Sequence, residues 1–267
     1  MSFITSSDGK RIWYDVVGAG DPLVLIGGSS LAHRQWDFMV PILQDHFTVI
    51  MFDQRGTGLS DRSPTGISVE QWADDLKLIL DEIGVKKTHI LSTSNGSFIV
   101  IRFAAKHPER TGALVHYGIY KLTEQYRKMS NIGAAIIDEF GVGNGSMGAY
   151  FLSRMFGTPA LCEDWVARRF EENLSPDAWK AMHCAIDVDL TGDLANITAP
   201  QLILMGETGP LGKDSDYASG TRDLQDLWSD VEVVTISGTN GTFHVFMRPF
   251  ECTRVVLDFF RKHANLL

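Results

Sequence analysis

A serine at a predicted turn between a strand and a helix is the first candidate for chemistry. The segment 91–97 (Leu-Ser-Thr-Ser-Asn-Gly-Ser) follows an apolar run and opens a helical pattern. A serine at such a tight turn is held clear of the sheet, and small neighbours such as Ser92 and Gly96 let the backbones approach closely. N–H groups at the start of the next helix can stabilise an anion there. Ser94 is therefore a candidate nucleophile, although a serine-rich turn can also be only a helix cap.

The elements that must position Ser94 are predicted from apolar runs and helical periodicity. Continuous apolar runs fit strands that are buried on both faces, as in a parallel sheet. Such runs occupy residues 22–26, 47–52, 88–91, 112–116, 201–205 and 231–236. Helical patterns lie between them, and Ser68 is predicted to cap the pattern that ends at Gly84. This alternation predicts a doubly wound, mostly parallel α/β sheet with right-handed crossovers. The turn 18–21 after Val17 predicts a hairpin.

One long segment departs from this alternation. Residues 120–197 contain no strand-like run but carry aromatic-rich helical pieces at 150–156 and 165–170. We therefore predict a helical lid at 120–197, inserted before the penultimate strand of a core formed by 1–119 and 198–267. The alternative is a set of extra core helices.

Composition narrows the class of protein. The chain has 267 residues, 44% of them hydrophobic and 21% charged, which is ordinary globular composition. A net charge of −9 disfavours nucleic acid and anionic membranes as partners. The three cysteines are widely spaced, and neither a secretion signal nor an apolar run of membrane-spanning length is present. We expect a cytoplasmic monomer or homodimer that binds a small molecule.

Phosphate-binding and metal-binding patterns are missing from the sequence. The segment Gly56-Thr57-Gly58 lacks the lysine of a nucleotide-binding loop, and the cysteines form no metal-ligand spacing. We therefore expect no cofactor and no metal.

Several motifs taken together resemble the α/β-hydrolase superfamily. They are the Gly27-Gly28-Ser29-Ser30 loop after an apolar run, the D-Q-R-G-x-G-x-S stretch at 53–60, the Ser94 turn and the late His244. The usual elbow is G-x-S-x-G, in which Ser92 here replaces the first glycine, and family members usually have histidine where Gly27 stands. The resemblance covers essentially the whole chain and implies that the backbone N–H groups of Ser29 and Asn95 form an oxyanion hole.

The proton-transfer groups follow from the same resemblance. His244 comes after the last predicted strand, where a neutral imidazole can take the proton of Ser94 and return it to the leaving group. His33 and His183 are competing histidines, but chain order favours His244.

The carboxylate that would orient the histidine has no clear position. The family pattern after the penultimate strand is roughly G-E-x-D, whereas this sequence reads G-E-T-G at 206–209. Glu207 is the first substitute, because it lies on the same side of an extended chain as the vacant position. Asp214 and Asp216 are rivals, and the remaining alternative is that no carboxylate contacts His244.

Other residues are assigned to the pocket or to the loops around it. Gly28, Trp36 and Tyr120 are candidate pocket residues, although aromatic side chains are also common in cores. Asp53 and Arg55 are expected to fix the turn after their strand, and Arg55 could also contact an anionic substrate group.

These residues predict a cofactor-free serine hydrolase that cleaves an ester, lactone or thioester of a mostly apolar small molecule. Three alternatives remain on the same fold. They are an acyltransferase, a lyase or cyclase that uses His244 without an acyl-enzyme, and a receptor without turnover.

Overall fold

One eight-stranded sheet forms the centre of the protein. The computed structural model describes residues 1–117, 124–142, 146–155, 157–208, 231–240 and 244–266. The strand order is β1-β2-β4-β3-β5-β6-β7-β8. The strands from β4 to β8 in this order are parallel, while β1 and β2 pair antiparallel. The bounds are β1 Ser2–Thr5, β2 Arg11–Val17, β3 Asp21–Ile26, β4 Phe47–Phe52, β5 Thr88–Thr93, β6 Thr111–Tyr117, β7 Gln201–Thr208 and β8 Val231–Asn240.

Helices pack on both faces of the sheet, and five of the described α-helices lie in the chain between β6 and β7. Ser68 caps α2 as predicted, because its side chain accepts a hydrogen bond from the Gln71 N–H at 3.1 Å. The bounds are α1 Val40–Leu43, α2 Val69–Glu82, α3 Asn95–Lys106, α4 Glu124–Phe140, α5 Met147–Met155, α6 Glu163–Asn173, α7 Pro176–Ala185, α8 Thr191–Leu194, α9 His244–Met247 and α10 Pro249–Lys262. A short 3-10 helix, Ala32–Trp36, follows β3.

The predicted apolar runs form the interior of the sheet. All six become strands, and the doubly wound α/β class is confirmed. Alternate side chains of each central strand enter two apolar clusters, one on each face. α2 and α3 complete one cluster, to which Leu152 and Trp179 of the helical segment also belong. α10 and the Ala32–Trp36 helix complete the other.

The register of β3 brings three loops to one edge of the sheet. Ile26, the last residue of β3, pairs with Phe52 on one side and with Ser92 on the other. Gly27 and Asp53, just beyond β3 and β4, and Ser94, just beyond β5, therefore begin neighbouring turns at the carboxyl edge. Ligands of open α/β sheets bind outside this edge.

The predicted hairpin between β2 and β3 is wrong. β2 pairs antiparallel with β4, and β4 lies between β2 and β3. A Cβ on Gly18 would lie 2.4 Å from the carbonyl oxygens of Gln44 and Phe47, so the turn packs against the entry to β4 instead of closing a two-stranded pair.

The segment between β6 and β7 is mostly helical in its described residues. Helices α4 to α8 alternate there with short turns, and no strand occurs in the described part. This arrangement agrees with the helical content predicted for 120–197, and its role as a separate lid stays a prediction. None of the described helices has the combined length and apolarity that a membrane span requires.

Arg55 is part of a buried ionic network and does not face solvent. Its guanidinium donates to both carboxylate oxygens of Asp75 at 2.7 Å and to Asp8 at 2.6 Å, and its side chain is 1% exposed. Burial raises the pKa of the Asp75 carboxyl, and the hydrogen bonds from Arg55 oppose that rise. Arg55 therefore joins the loop after β4 to α2, through Asp75, and to the turn between β1 and β2, through Asp8. The alternative contact with an anionic substrate group does not fit this burial.

We expect Arg55→Ala to lower the free energy of unfolding by about 3–5 kcal/mol, because Asp75 would keep a buried charge without its partner. The matched control is Lys77→Ala, which breaks the exposed Lys77–Asp81 pair on α2 and should cost less than about 1 kcal/mol. Urea unfolding measures both variants. Equal losses in the two would contradict the structural role given to Arg55.

Candidate active site

Ser94 occupies the sharp turn between β5 and α3. Its backbone has φ 50° and ψ −123°, a conformation that non-glycine residues rarely adopt. Its N–H donates to the Tyr117 carbonyl at 3.2 Å, and its carbonyl accepts from the Ser97 N–H at 2.9 Å. These bonds fix the turn between two strands and a helix. The side chain is partly exposed, whereas its neighbours Thr93 and Asn95 are buried. The predicted tight turn between strand and helix is thus present, and the Ser94 hydroxyl donates to Asn95 Oδ1 at 3.4 Å.

Two glycines allow the backbones around Ser94 to meet. A Cβ on Gly96 would lie 2.7 Å from the Ile26 carbonyl oxygen and 2.9 Å from that of Gly27, so only glycine fits there without movement. A Cβ on Gly28 would lie 3.3 Å from Ser94 Cβ and 3.8 Å from its Oγ. The loop after β3 and the elbow after β5 therefore face each other, and Gly28 lies against Ser94.

Ser92, which replaces the first glycine of the usual elbow, has its own buried partners. Its hydroxyl lies 3.0 Å from Ser97 Oγ and 3.1 Å from His116 Nδ1, and His116 Nε2 lies 3.3 Å from Gln201 Oε1. Burial lowers the pKa of His116 from 6.5 to about 4, so the imidazole is neutral. Its Nδ1 accepts a hydrogen bond from the Ser92 hydroxyl, and its Nε2 donates one to Gln201 Oε1. This chain of bonds joins α3, β5, β6 and β7 beneath Ser94.

The loop that carries the predicted oxyanion donor has a tight internal fold. Ala32 has a φ of 53°, and its N–H donates to the Gly28 carbonyl at 3.3 Å. A Cβ on Gly27 would lie 2.1 Å from the Ala32 carbonyl oxygen. Position 27 therefore has no room for the histidine that family members usually have. Ser29, the predicted donor in this loop, is buried with 6% exposure. Asn95, the other predicted donor, is the first residue of α3, where backbone N–H groups have no partner within the helix.

His33 forms a histidine–carboxylate pair just after this loop. Its Nδ1 lies 2.9 and 3.0 Å from the two oxygens of Asp53, and its backbone N–H donates to the same carboxylate at 2.7 Å. The Leu59 N–H adds a bond of 2.9 Å, and the Trp13 ring lies 4.2 Å from the imidazole centroid. Asp53 thus fixes its turn as predicted. No hydrogen bond among the described residues joins His33 to Ser94.

The other proton-transfer candidates are placed as follows. His244 begins α9, the short helix after β8, and its side chain lies outside the described residues. The exposed Glu207 accepts a hydrogen bond from the Gly238 N–H at 2.9 Å, across the irregular pairing of β7 with β8. Asp214 and Asp216 lie outside the described residues. His183 Nδ1 lies 2.8 Å from the Trp179 carbonyl oxygen within α7. The identities of base and acid therefore stay predictions.

The candidate pocket residues differ in position. Trp36 is fully buried, and its ring lies edge-on to Tyr117 at 5.8 Å in the core of one face. This is the position of a core aromatic, and its place in a pocket wall stays a prediction. Tyr120 lies outside the described residues. Three rings from separate elements also meet, because Trp165 lies 5.6 Å from Phe38 and 5.1 Å from Phe246.

Two contributions to the site were not predicted from the sequence. Asn173, at the end of α6, contacts the loop after β3 and the loop after β4, although it is 116 residues from Thr57 and 142 from Leu31 in the chain. His116, the second, lies in the apolar run 112–116 that predicted a strand. A histidine inside an otherwise apolar strand was the available indication that a buried polar partner exists.

The chain belongs to the family described as alpha/beta hydrolase fold, whose model matches residues 21–240. That match spans β3 to β8 and includes the elbow and both loops beside it.

Similar proteins include a haloperoxidase, a hydrolase and a carboxylesterase. A putative non-heme haloperoxidase of Mycobacterium phage D29 is 31% identical over 158 residues, 54% of this chain and 57% of that protein. The 2-(acetamidomethylene)succinate hydrolase of Mesorhizobium japonicum is 26% identical over 239 residues, 84% of this chain and 82% of that protein. A solved carboxylesterase structure from Nitrososphaera gargenis has a TM-score of 0.85 at 18% identity, covering 100% of both chains, which shows the shared fold. Five curated relatives at 31–32% identity are matched over only 34–57% of their length.

We expect Gly27→Ala to lower the free energy of unfolding by about 1–3 kcal/mol, because its Cβ would overlap the Ala32 carbonyl oxygen and force the loop to move. The control is Gly192→Ala in α8, where nothing lies within 4 Å of the added Cβ and stability should stay the same or rise by about 1 kcal/mol. Urea unfolding compares the two. A Gly27→Ala variant as stable as the wild type would contradict the close approach of Gly27 to the Ala32 carbonyl oxygen.

Buried His116 should make stability depend on pH. Its pKa is about 4 in the folded chain and near 6.5 when unfolded, so the unfolded state binds a proton that the native state excludes between these values. The free energy of unfolding should fall as the pH is lowered from 6.5 to 4, by up to about 1.4 kcal/mol per pH unit from this residue. In His116→Gln the slope should decrease by about that amount, measured by urea unfolding across this range. An unchanged slope would contradict the assignment.

Proposed function

We propose that this chain is a cofactor-free serine hydrolase that cleaves an ester, lactone or thioester of a mostly apolar small molecule. Ser94 would attack the carbonyl carbon and form an acyl-enzyme, which water then releases. The observation that carries this proposal is the strained, partly exposed Ser94 turn, which the Gly28 backbone approaches closely. A nucleophile and an oxyanion-binding loop need this proximity, because the attacked carbonyl must reach both.

The other groups have complementary roles in the proposed reaction. The N–H groups of Ser29 and Asn95 would stabilise the tetrahedral oxyanion, each by roughly 3 kcal/mol in a typical site. His244 would remove the Ser94 proton and protonate the leaving group, and Glu207 would orient the imidazole. Support for this pair comes from the chain path, since Glu207 lies on β7 beside β8, the strand that precedes α9.

An apolar substrate agrees with the aromatic side chains above the sheet edge. Phe246 packs against the clusters of both faces, so it lies at an edge where the two meet. Its neighbour Phe38 is 46% exposed, leaving apolar ring surface open to a ligand. The lid proposed for 120–197 supplies Trp165 to the same group and would exclude water from the acyl-enzyme.

A second candidate keeps the fold and omits the acyl-enzyme. The observation that favours it is the exposure of Glu207, whose carboxylate is bonded to Gly238. Without an orienting acid, His244 would act only as a proton-transfer group in a lyase or cyclase reaction. Covalent labelling of Ser94 separates the two candidates, because only the hydrolase needs an activated serine.

The experiment is hydrolysis of p-nitrophenyl butyrate together with labelling by a fluorophosphonate. We expect Ser94→Ala to lower kcat by about 10⁴-fold or more, since the nucleophile is lost, and to abolish the label on the peptide that contains Ser94. The control is Ser63→Ala, in an exposed loop, which should retain both.

Full activity of Ser94→Ala on esters would refute the nucleophile. Absence of labelling in the folded wild-type protein would favour the lyase or cyclase. Ester formation from an acyl thioester and an added alcohol, in place of free acid, would instead identify an acyltransferase.

A further inference from the structure

Asn173 joins the helical segment to the loop after β3, which faces Ser94, and to the loop after β4. Its side-chain Nδ2 donates to the Leu31 carbonyl at 3.2 Å. Its own carbonyl accepts from the Gly58 N–H at 3.2 Å and from Thr57 Oγ1 at 3.3 Å. Asn173 is 4% exposed and is the last residue of α6. We call these four residues the Asn173 contact.

Each bond of the Asn173 contact satisfies a group that its own element leaves unpaired. Carbonyls in the last turn of a helix have no partner within the helix, and the Asn173 carbonyl receives two donors from the loop after β4. The Leu31 carbonyl lies in an irregular loop and receives the amide of Asn173. A buried polar group without a partner costs free energy, so this arrangement favours one relative position of α6 and the two loops.

The bonded loop is the one that faces the candidate nucleophile. Leu31 lies three residues after Gly28, which contacts Ser94, and two after Ser29, the proposed oxyanion donor. The next residue, Ala32, has the strained φ of 53°. Beyond it His33 is bonded to Asp53. Asn173 therefore bonds the middle of the loop, between the Gly28–Ser94 contact and the His33–Asp53 pair.

We propose that Asn173 is a positioning residue for the oxyanion hole, through which the packing of α6 sets the position of the Ser29 N–H. This proposal rests on the proposed serine hydrolase function. An N–H stabilises an oxyanion only when it points at the position that the oxygen takes in the transition state, and a displacement of 1 Å can cost about 100-fold in rate. Ala32, the residue directly after Leu31, has a strained backbone, and such a conformation persists only where surrounding contacts hold the chain in place.

The test variant is Asn173→Asp, which keeps the side-chain shape but replaces the Nδ2 donor with an oxygen that repels the Leu31 carbonyl. The rate constant is measured with p-nitrophenyl butyrate per active site, titrated with a fluorophosphonate. We expect kcat per titrated site to fall about 10- to 100-fold, with KM within about 3-fold, because the transition state loses more than the bound ester. Inhibition by a trifluoromethyl ketone, which forms a tetrahedral oxyanion, should weaken by the same factor as kcat/KM.

The matched control is Asn196→Asp. Asn196 also donates from Nδ2 to a backbone carbonyl, that of Gly192 at 3.0 Å, but it is exposed and distant in sequence from both loops. Its kcat and its inhibition by the ketone should equal those of the wild type. A purely structural role for Asn173 would lower the melting temperature or the number of titrated sites while leaving kcat per site unchanged, and that result would overturn the proposal.

A second variant covers the case in which Asn173→Asp does not fold. Thr57→Val removes only the hydroxyl donor to the Asn173 carbonyl and keeps the side-chain shape. It should lower kcat per titrated site by about 5-fold, the equivalent of one ordinary hydrogen bond. An unchanged kcat in this variant also overturns the proposal.

Failure of the proposed function gives a different result. If the wild-type protein neither hydrolyses the ester nor is labelled at Ser94, both proposals fall. If Ser94→Ala abolishes activity while Asn173→Asp matches the wild type, only the positioning role falls.

Discussion

The close approach of the α3 N-terminus to the end of β3 is the constraint on which the rest of the site depends. Gly96 has carbonyl oxygens of Ile26 and Gly27 within 3 Å of where a side chain would begin. Because nothing intervenes, the first turn of α3 directs its N–H groups over the sheet edge. The same proximity places Ser94 against Gly28 and forces its φ of 50°. The strained backbone of Ser94 thus accompanies the close packing of α3 on the end of β3.

Two polar networks hold this strained arrangement, one beneath the elbow and one in the loops at the ends of β3 and β4. Beneath the elbow, Ser92 and His116 form bonds that cross neighbouring strands. Beside it, Asp53 accepts from two backbone N–H groups and one imidazole with its carboxylate fully buried. Apolar packing alone is compatible with small shifts of a loop, whereas satisfied buried hydrogen bonds have narrow distance and angle requirements. The polar residues at the strand ends therefore determine positions that the two apolar clusters do not.

The sequence predicted what depends on burial and missed what depends on distant partners. Continuous apolar runs located the central strands, because these strands are buried on both faces. The helical periodicity that follows Ser68 located α2, because this helix is buried on one face. The hairpin after β2 was wrong, since the neighbour of β2 is chosen by pairing with β4 and not by the turn. Asn173 was missed because its partners lie more than 100 residues away. The acid could not be assigned, because the family position for it is a glycine.

The departure from the family pattern at position 27 follows from the loop geometry. A histidine there would need the space that the Ala32 carbonyl oxygen occupies. In this chain an imidazole instead comes from His33, beyond the strained residue, and is bonded to Asp53 of the next strand's loop. The imidazole that is bonded beside this loop thus follows the strained residue, and its partner is a buried carboxylate. Between the Gly28 and His33 positions, the Leu31 carbonyl accepts a hydrogen bond from the Asn173 amide, so α6 adds a third contact to the middle of the loop.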